Sequence, residues 1–258
     1  MKYVFAGDRD IAVNVLDYLI QQGHFPLALL VSGEERASHA DELIALSGLP
    51  EELIYRGGDF KTTEAIASLL DLQPDYIIGI HFPYIIRKEV LEIPQVGFLN
   101  LHPAYLPFNR GWHTPTWAIL DGTPIGATLH FMSEELDAGD IIHQSELRVL
   151  PNDTANSLYR RLKDLELSVF KEALPLILSL EPLRKVQDLS LGTSHNRKDL
   201  FKPEVQKIML EEEYKAKDLL DKLRGLTTNS LAEAAYFEEN GKKYRVQVQI
   251  IEEENTEE

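Results

Sequence analysis

The segment "FLNLHPAYLP", residues 98–107, carries an amide and an imidazole two positions apart. Asn100 and His102 interrupt an apolar run that Pro103 ends. Residues two apart on an extended strand point to the same side, so the two polar groups lie together. An amide can donate a hydrogen bond to an oxygen that becomes negative in a tetrahedral intermediate. The spacing is therefore consistent with acyl-transfer chemistry, or with a satisfied polar pair that closes a turn.

A second polar segment, "EELDAGDII" at residues 134–142, supplies a carboxylate. Asp137 comes shortly before Gly139, which permits a tight turn before a new strand. A lone Asp in such a turn usually bonds its own backbone. Beside an imidazole, the carboxylate would instead fix the tautomer of His102 and support its protonated form. Asn100, His102 and Asp137 are then the parts that acyl transfer to an amine requires, without a side-chain nucleophile.

The elements that position these groups follow an alternating pattern. The apolar runs "KYVFA", "LALLV", "ELIY", "PDYIIGI" and "VGFLNL" alternate with helical segments, which predicts βαβ units and a mostly parallel sheet. Ligands bind such sheets at the carboxyl ends of the strands, where "GDRD", "GIHFP" and "NLHP" fall. "GDRD" lacks a dinucleotide or Walker signature, so Arg9 there meets either an anion or a surface carboxylate.

The later part of the chain predicts a small appendage. Two strands flank "LDAGD", a long helix begins near residue 154, and the region after Pro182 is polar and broken. "AAYFE" and "KKYRVQVQI" around "ENGK" predict a β-hairpin. We expect a main α/β domain at 1–180, an appendage with the hairpin at 181–251, and a disordered acidic tail at 252–258.

Composition narrows the class of protein. The 258 residues include no Cys, which excludes disulfides, thiol nucleophiles and Cys-based zinc sites. The formal net charge of −16 disfavours nucleic acid as a partner. The amino terminus lacks the apolar stretch of a signal peptide, and no apolar run is long enough for a membrane span. We therefore expect a cytoplasmic protein.

The combined motifs resemble a known family. "NLHPAYLPFNRG" followed by "LDAGDII" resembles the signature of the folate-dependent formyltransferases, which include methionyl-tRNA, glycinamide ribonucleotide and sugar-nucleotide enzymes. "FAGDRDIAVNVLDYLI" and "HFPYIIRKEVL" are similar to the opening and folate-pocket segments of the methionyl-tRNA enzymes. The resemblance implies a Rossmann-like fold, N10-formyltetrahydrofolate as formyl donor, and no metal. It also implies that Asn100 and His102 stabilise the oxyanion, and that His102 or Asp137 assists proton removal.

The resemblance further implies where the two substrates bind. The folate would contact Phe82, Tyr84, Ile85, Ile86, Ala138, Gly139 and Asp140, although core packing could equally explain Ile85 and Ile86. The residues after the long helix resemble the appendage of sugar-nucleotide N-formyltransferases, which implies a dTDP- or UDP-amino sugar as acceptor. The candidate acceptor contacts are Arg9, Asn109, Arg110, Trp112, His195 and Arg197.

Several alternatives stay open at this point. The acceptor could be another small amine, such as an amino acid, a peptide intermediate or a ribonucleotide. The chain could also be a non-catalytic relative that binds folate or a sugar nucleotide. We expect a homodimer that uses the carboxyl-terminal hairpin, because an isolated hairpin is marginally stable and leaves open edges. The alternative is that the hairpin packs only within its own chain.

Overall fold

The computed structural model describes residues 1–35 and 39–253, so most of the predicted tail at 252–258 lies outside the described residues. The strands in the described part are β1 (Tyr3–Gly7), β2 (Ala28–Val31), β3 (Ile54–Arg56), β4 (Tyr76–Ile80), β5 (Gly97–His102), β6 (Arg110–Gly111), β7 (Ile125–Phe131), β8 (Ile141–Leu147), β9 (Ser194–His195), β10 (Ala235–Glu239) and β11 (Lys242–Val246).

The α-helices in the same residues are α1 (Arg9–Gln21), α2 (Ala40–Ser47), α3 (Thr63–Asp71), α4 (Lys88–Leu91), α5 (Thr114–Asp121), α6 (Ala155–Leu178), α7 (Pro203–Gln206) and α8 (Ala216–Gly225). Short 3₁₀ helices lie at Glu51–Leu53, Asp59–Lys61, Asp199–Phe201 and Leu231–Glu233. None of the described helices is long and apolar enough to cross a membrane.

The main sheet has seven strands in the order β3-β2-β1-β4-β5-β7-β8. The first five strands in this order pair in parallel, and β5 pairs with β7 in the antiparallel direction. β1, β2 and β4 are buried along their whole length, as expected for parallel strands covered on both faces. The predicted α/β class, a mostly parallel sheet with a small carboxyl-terminal helix and hairpin, is confirmed.

The chain divides into two compact units. The first consists of Met1–His102, Ala127–Ser145 and Leu165–Asp188, and contains most of the seven-stranded sheet. Its core lies around Phe5, Leu16 and Phe170. The second consists of Pro103–Gly126, Glu146–Asp164 and Leu189–Glu258.

The second unit has its own small core and two small sheets. Trp117 on α5 packs with Leu200, Leu226 and Ala235. β6 pairs with β9 in parallel, and β10 pairs with β11 as an antiparallel hairpin. Asn240 and Gly241 connect the hairpin strands with positive φ values of 49° and 72°, the conformation that a two-residue hairpin loop favours.

Candidate active site

The register between β5 and β7 gathers four polar side chains inside the first unit. Asn100 lies directly opposite His130, and His102 lies directly opposite Thr128. Directly opposite residues of an antiparallel pair point to the same face of the sheet. The two-residue spacing on β5 is therefore matched by a two-residue spacing on β7.

A hydrogen bond joins the amide of Asn100 to the ring of His130. Asn100 Nδ2 lies 3.2 Å from His130 Nε2, and His130 Nδ1 lies 2.8 Å from the carbonyl oxygen of Phe131. Burial lowers the pKa of His130 to about 4. The nearby charge of Asp137 acts in the opposite direction but does not restore the ordinary value. His130 is therefore a neutral imidazole at neutral pH.

Asp137 approaches both histidines from a loop. Its Oδ2 lies 3.6 Å from His102 Nε2, and its Oδ1 lies 3.9 Å from His130 Nε2. These distances exceed that of a direct hydrogen bond, and catalytic contacts often shorten only when substrate binds. The structure thus brings Asn100, His102 and Asp137 together, as their placement in the sequence predicts.

The geometry of this loop explains why Asp137 can reach β5. β7 runs antiparallel to β5, so the chain leaves Phe131 near the amino end of β5 and must double back. Asp137 has φ 49°, a left-handed conformation that Asp tolerates better than most residues. A Cβ at Gly139 would overlap the carbonyl oxygen of Phe131. Close contact between the loop and β7 therefore requires glycine at residue 139.

Gln187 holds the same loop from the segment that follows α6. Its Nε2 donates to the carbonyl oxygens of Asp137, at 3.0 Å, and of Gly139, at 2.6 Å. Gln187 is buried, so water has little access to these bonds. The side chain fixes the backbone that carries the Asp137 carboxylate.

The segment predicted to contact folate combines packed and exposed side chains. The rings of Phe82 and Tyr84 lie 5.0 Å apart, and Phe60 packs against both. The Tyr84 hydroxyl accepts a hydrogen bond from the Gly33 amide at 2.9 Å. Ile85 is 85% exposed, so core packing does not explain it, whereas Ile86 packs at the edge of the core.

The Ala138–Asp140 loop has some of its backbone groups in use. The Asp140 carbonyl accepts from the Phe131 amide at 2.9 Å, and the Gly139 carbonyl accepts from Gln187. A carbonyl oxygen can accept a second hydrogen bond, so these bonds leave capacity for a ligand.

A second histidine–carboxylate pair lies where β4 ends. His81 Nε2 lies 2.7 Å from Glu166 Oε1, and Glu166 is fully buried. Desolvation lowers the pKa of His81, but the charge of Glu166 and the hydrogen bond to it outweigh this effect, and the pKa is raised. The positive charge of Arg9 acts against this increase and lowers the pKa of His81. Arg9 itself is exposed and has φ 72°.

The other candidate acceptor contacts all lie in the second unit. Trp112 and Arg197 are exposed, with the guanidinium 5.3 Å from the indole centroid. The His195 ring stacks on Trp117 at 3.8 Å and bonds to Asp121 at 3.0 Å.

Asn109 and Arg110 are the two remaining candidate acceptor contacts in the second unit. Asn109 is buried; its Nδ2 donates to the carbonyl of Pro124 and its Oδ1 accepts from Thr123, both at 3.0 Å. The Arg110 backbone amide donates to Thr193 within the β6–β9 sheet. The amide of Asn109 therefore already stabilises the fold of its unit, whereas Trp112 and Arg197 present exposed surface.

Family profiles match most of the chain. One described as "Formyl transferase" matches residues 1–174. The chain belongs to the formyl transferase family. A second profile, described as "N-formyltransferase dimerization C-terminal domain", matches residues 201–253.

Individual relatives fall into two groups. The methionyl-tRNA formyltransferase of Clostridioides difficile is 32% identical over 197 residues, which cover 73% of this chain but only 63% of that protein. A sugar N-formyltransferase from Shewanella sp FDAARGOS_354 superimposes with a TM-score of 0.81 at 22% identity, covering 98% of this chain and 99% of that one.

A third relative was solved with ligands. PseJ from Anoxybacillus kamchatkensis, in complex with UDP-4,6-dideoxy-4-formamido-L-AltNAc and tetrahydrofolate, is 29% identical with a TM-score of 0.54. The match covers 76% of this chain and 97% of that one.

Within this formyl transferase fold, three residues near the candidate sites were not predicted from the sequence. His130 could have been found from "ATLHF", where Thr128 and His130 alternate with apolar residues in a buried strand. Gln187 and Glu166 carried no comparable signal, because each meets its partner from at least 48 residues away in the chain.

Proposed function

We propose that the protein is an N-formyltransferase that moves a formyl group from N10-formyltetrahydrofolate to the amine of a nucleotide-linked amino sugar. The observation that carries the proposal is that Asn100 and His102 lie on one face of β5 and that Asp137 reaches His102 from the loop after β7. An amide donor beside an imidazole and a carboxylate that lie 3.6 Å apart can provide both charge stabilisation and proton transfer.

The proposed reaction proceeds by direct attack. The acceptor amine forms a bond to the formyl carbon, and the carbonyl oxygen becomes an oxyanion that Asn100 and His102 stabilise. The amine proton passes to His102 or Asp137. The bond between the formyl carbon and N10 of the folate then breaks, and N10 takes up a proton. The products are the formamide and tetrahydrofolate.

The donor is proposed to bind along the segment that carries Phe82, Tyr84, Ile85 and Ile86. The exposed Ile85 offers apolar contact, and the hydroxyl bond of Tyr84 holds its ring in place. Backbone groups of Ala138, Gly139 and Asp140 would complete the pocket. The tetrahydrofolate bound to PseJ supports this class of donor.

The sugar-nucleotide acceptor is supported by the relatives rather than by a bound ligand. The sugar N-formyltransferase from Shewanella matches this chain over nearly the full length of both chains, whereas 37% of the curated methionyl-tRNA relative is unmatched (100 − 63). The net charge of −16 also opposes tRNA binding. Arg9, Trp112 and Arg197 are the exposed candidates for the sugar or its phosphates. Asn109, Arg110 and His195 are also candidate acceptor contacts, but each already forms hydrogen bonds within the fold and would have to bind the acceptor in addition.

The test is an assay of formyl transfer with N10-formyltetrahydrofolate against a panel of dTDP- and UDP-linked amino sugars. We expect one or more of them to be formylated, and the Asn100→Ala variant to lose about 10²–10³-fold in turnover, as for a missing oxyanion donor. Methionyl-tRNA, glycinamide ribonucleotide and free amino acids complete the panel. Transfer only to one of these would overturn the sugar acceptor while keeping the chemistry. Folate binding without transfer to any amine would identify a non-catalytic relative.

We also propose that residues 1–180 form the catalytic domain and residues 181–251 the appendage. The carboxyl-terminal region is proposed to form a homodimer. β10 packs within its own unit, since Ala235 belongs to the small core and Tyr236 is buried. On β11, Tyr244 remains 42% exposed, and Leu220 on α8 is half exposed. The description of the matched profile as a dimerization domain supports this use of the surface.

Light scattering at micromolar concentration tests the oligomer. We expect twice the mass of one chain for the wild type, and dissociation when Tyr244→Glu and Leu220→Glu are combined, because two buried charges would oppose the contact. Lys243→Glu, a charge change on the same hairpin, serves as the control. A monomeric wild type would mean that the hairpin serves only its own chain.

A further inference from the structure

We infer that His130 is a positioning residue that fixes the side-chain amide of Asn100 in the orientation formyl transfer needs. The inference rests on the proposed role of Asn100 as a donor to the oxyanion. His130 is placed for this task by the register of two strands, since it lies directly opposite Asn100. It is almost completely buried, with 1% of its surface exposed.

The tautomer of His130 follows from its partner at Nδ1. The carbonyl oxygen of Phe131, 2.8 Å away, can only accept a hydrogen bond. Nδ1 must therefore carry the proton and donate it. In a neutral imidazole, Nε2 is then left with a lone pair and acts as an acceptor.

This acceptor determines which way the Asn100 amide points. The Asn100 atom that lies 3.2 Å from Nε2 has to be the nitrogen, because an amide oxygen there would face a lone pair. One Nδ2 proton is thus donated to His130. The second remains on the same nitrogen as the donor for the developing oxyanion. A reversed amide would present Oδ1 instead, and an oxygen would repel the negative charge that the reaction builds up.

The surroundings keep the ring neutral. Burial lowers the pKa of His130 well below neutrality, and the charges that face the ring are the Asp137 carboxylate at 3.9 Å and, when protonated, His102 with its ring centre 6.3 Å away. Asp137 favours protonation of His130 and His102 opposes it. A proton on Nε2 would remove the acceptor that Asn100 uses.

Two substitutions of similar size separate the two hydrogen bonds of the ring. His130→Gln can place its side-chain oxygen near the position of Nε2, so the acceptor for Asn100 is kept and the bond to Phe131 is lost. His130→Asn can place its nitrogen near the position of Nδ1, so the bond to Phe131 is kept and the acceptor is lost. We expect His130→Asn to lower kcat by about 10²-fold, close to the effect of losing an oxyanion donor. The KM for N10-formyltetrahydrofolate should stay near the wild-type value, and His130→Gln should recover most of kcat.

The double variant shows whether His130 acts through Asn100. In an Asn100→Ala background, His130→Asn should cause little further loss of kcat, because residues that act as a unit are not additive. A full 10²-fold further loss would overturn the inference. The inference would also fail if His130→Asn and His130→Gln lowered kcat equally and the losses tracked a decrease in melting temperature. If Asn100→Ala alone retains normal turnover, the proposed function of Asn100 fails, which is a separate result.

Nitrogen NMR of the wild-type imidazoles tests the same point without any variant. At pH 7, His130 should show a protonated Nδ1 and an unprotonated Nε2 that accepts a hydrogen bond. The opposite tautomer, or an imidazolium, would overturn the inference even if every His130 variant fails to fold.

Discussion

Two histidine–carboxylate pairs in the first unit differ in how tightly they are closed. The His81–Glu166 pair has a 2.7 Å contact, and the carboxylate is inaccessible to solvent. The His102–Asp137 pair has a 3.6 Å contact, and the Asp137 side chain remains 10% exposed. Both pairs combine the same two chemical groups. Their geometry nevertheless suits them to different tasks.

A closed pair resists exchange of its proton or its partner, because breaking it would leave a buried charge uncompensated. An open pair lacks a direct hydrogen bond, so either group can bond to a substrate atom beside it without first breaking a tight contact. His102 and Asp137 also have the Asn100 amide beside them on the same sheet face, whereas His81 binds the fully buried Glu166. The geometry of the His102–Asp137 pair thus suits it to chemistry, and that of the His81–Glu166 pair suits it to stability.

The largest change in turnover that tests this contrast between the two pairs is expected on substitution of His102. His102→Ala should lower turnover by about 10²–10⁴-fold, the range for a positioned acid–base group, with little loss of thermal stability. Turnover with a formylated amino sugar as product and the melting temperature are measured on the same preparation. Normal turnover in a folded His102→Ala protein would remove His102 from the chemistry and leave the two pairs equivalent.

His81→Ala should have the opposite profile. Loss of the imidazole leaves Glu166 buried without its partner, and we expect the free energy of unfolding to fall by about 3 kcal/mol, at the lower end for a broken buried pair. Turnover per folded molecule should change far less than in His102→Ala. Denaturant unfolding supplies the measurement. The double variant His81→Leu/Glu166→Leu is the matched control, and it should regain stability because neither charge remains.

Gln187→Ala tests how the loop that carries Asp137 is held beside His102, and we expect a smaller decrease in kcat. The variant loses two neutral hydrogen bonds to the loop that carries Asp137, and about 1 kcal/mol of lost positioning corresponds to a decrease in kcat of about fivefold. Gln187→Glu, which cannot donate to the carbonyls, should behave like Ala. Wild-type kcat in both would show that the loop holds Asp137 without this side chain.

The smallest effect is the pH dependence of the closed pair. The folded pKa of His81 is raised above its ordinary value of 6.5. Its contribution to the free energy of unfolding is therefore complete below pH 6.5 and is lost as the pH rises through the folded pKa. Stability relative to His81→Leu/Glu166→Leu should decrease over that window. A difference that grows with pH would show that the imidazole is buried in its neutral form.

The sequence allowed local features of the site to be predicted. Asn100 and His102 share a side because alternation along a strand is a property of neighbouring residues. The hairpin at Asn240 and Gly241 was predicted for the same reason, since the turn conformation depends on those two residues. The strand–helix alternation likewise predicted a mostly parallel sheet.

Apart from the approach of Asp137 to His102, contacts between distant segments could not be predicted in the same way. His130 meets Asn100 only because β7 inserts next to β5 in one particular register, and a shift by one residue would turn His130 to the other face. Glu166 reaches His81 across 85 residues, and nothing in the helical pattern of α6 distinguishes a buried Glu from a solvated one. Pairing with β7 had to be seen in the structure.

Gly139 also imposes a constraint on how this gene can vary. Every replacement of glycine adds at least a Cβ, and that atom would overlap the backbone of β7. At Gly58, by contrast, an added Cβ would meet nothing within 4 Å. Any missense change in the codon for residue 139 therefore forces either the loop that carries Asp137 or the β7 backbone to shift, and we expect only synonymous changes to leave the site undisturbed. Drift can alter the codon for residue 58 much more freely.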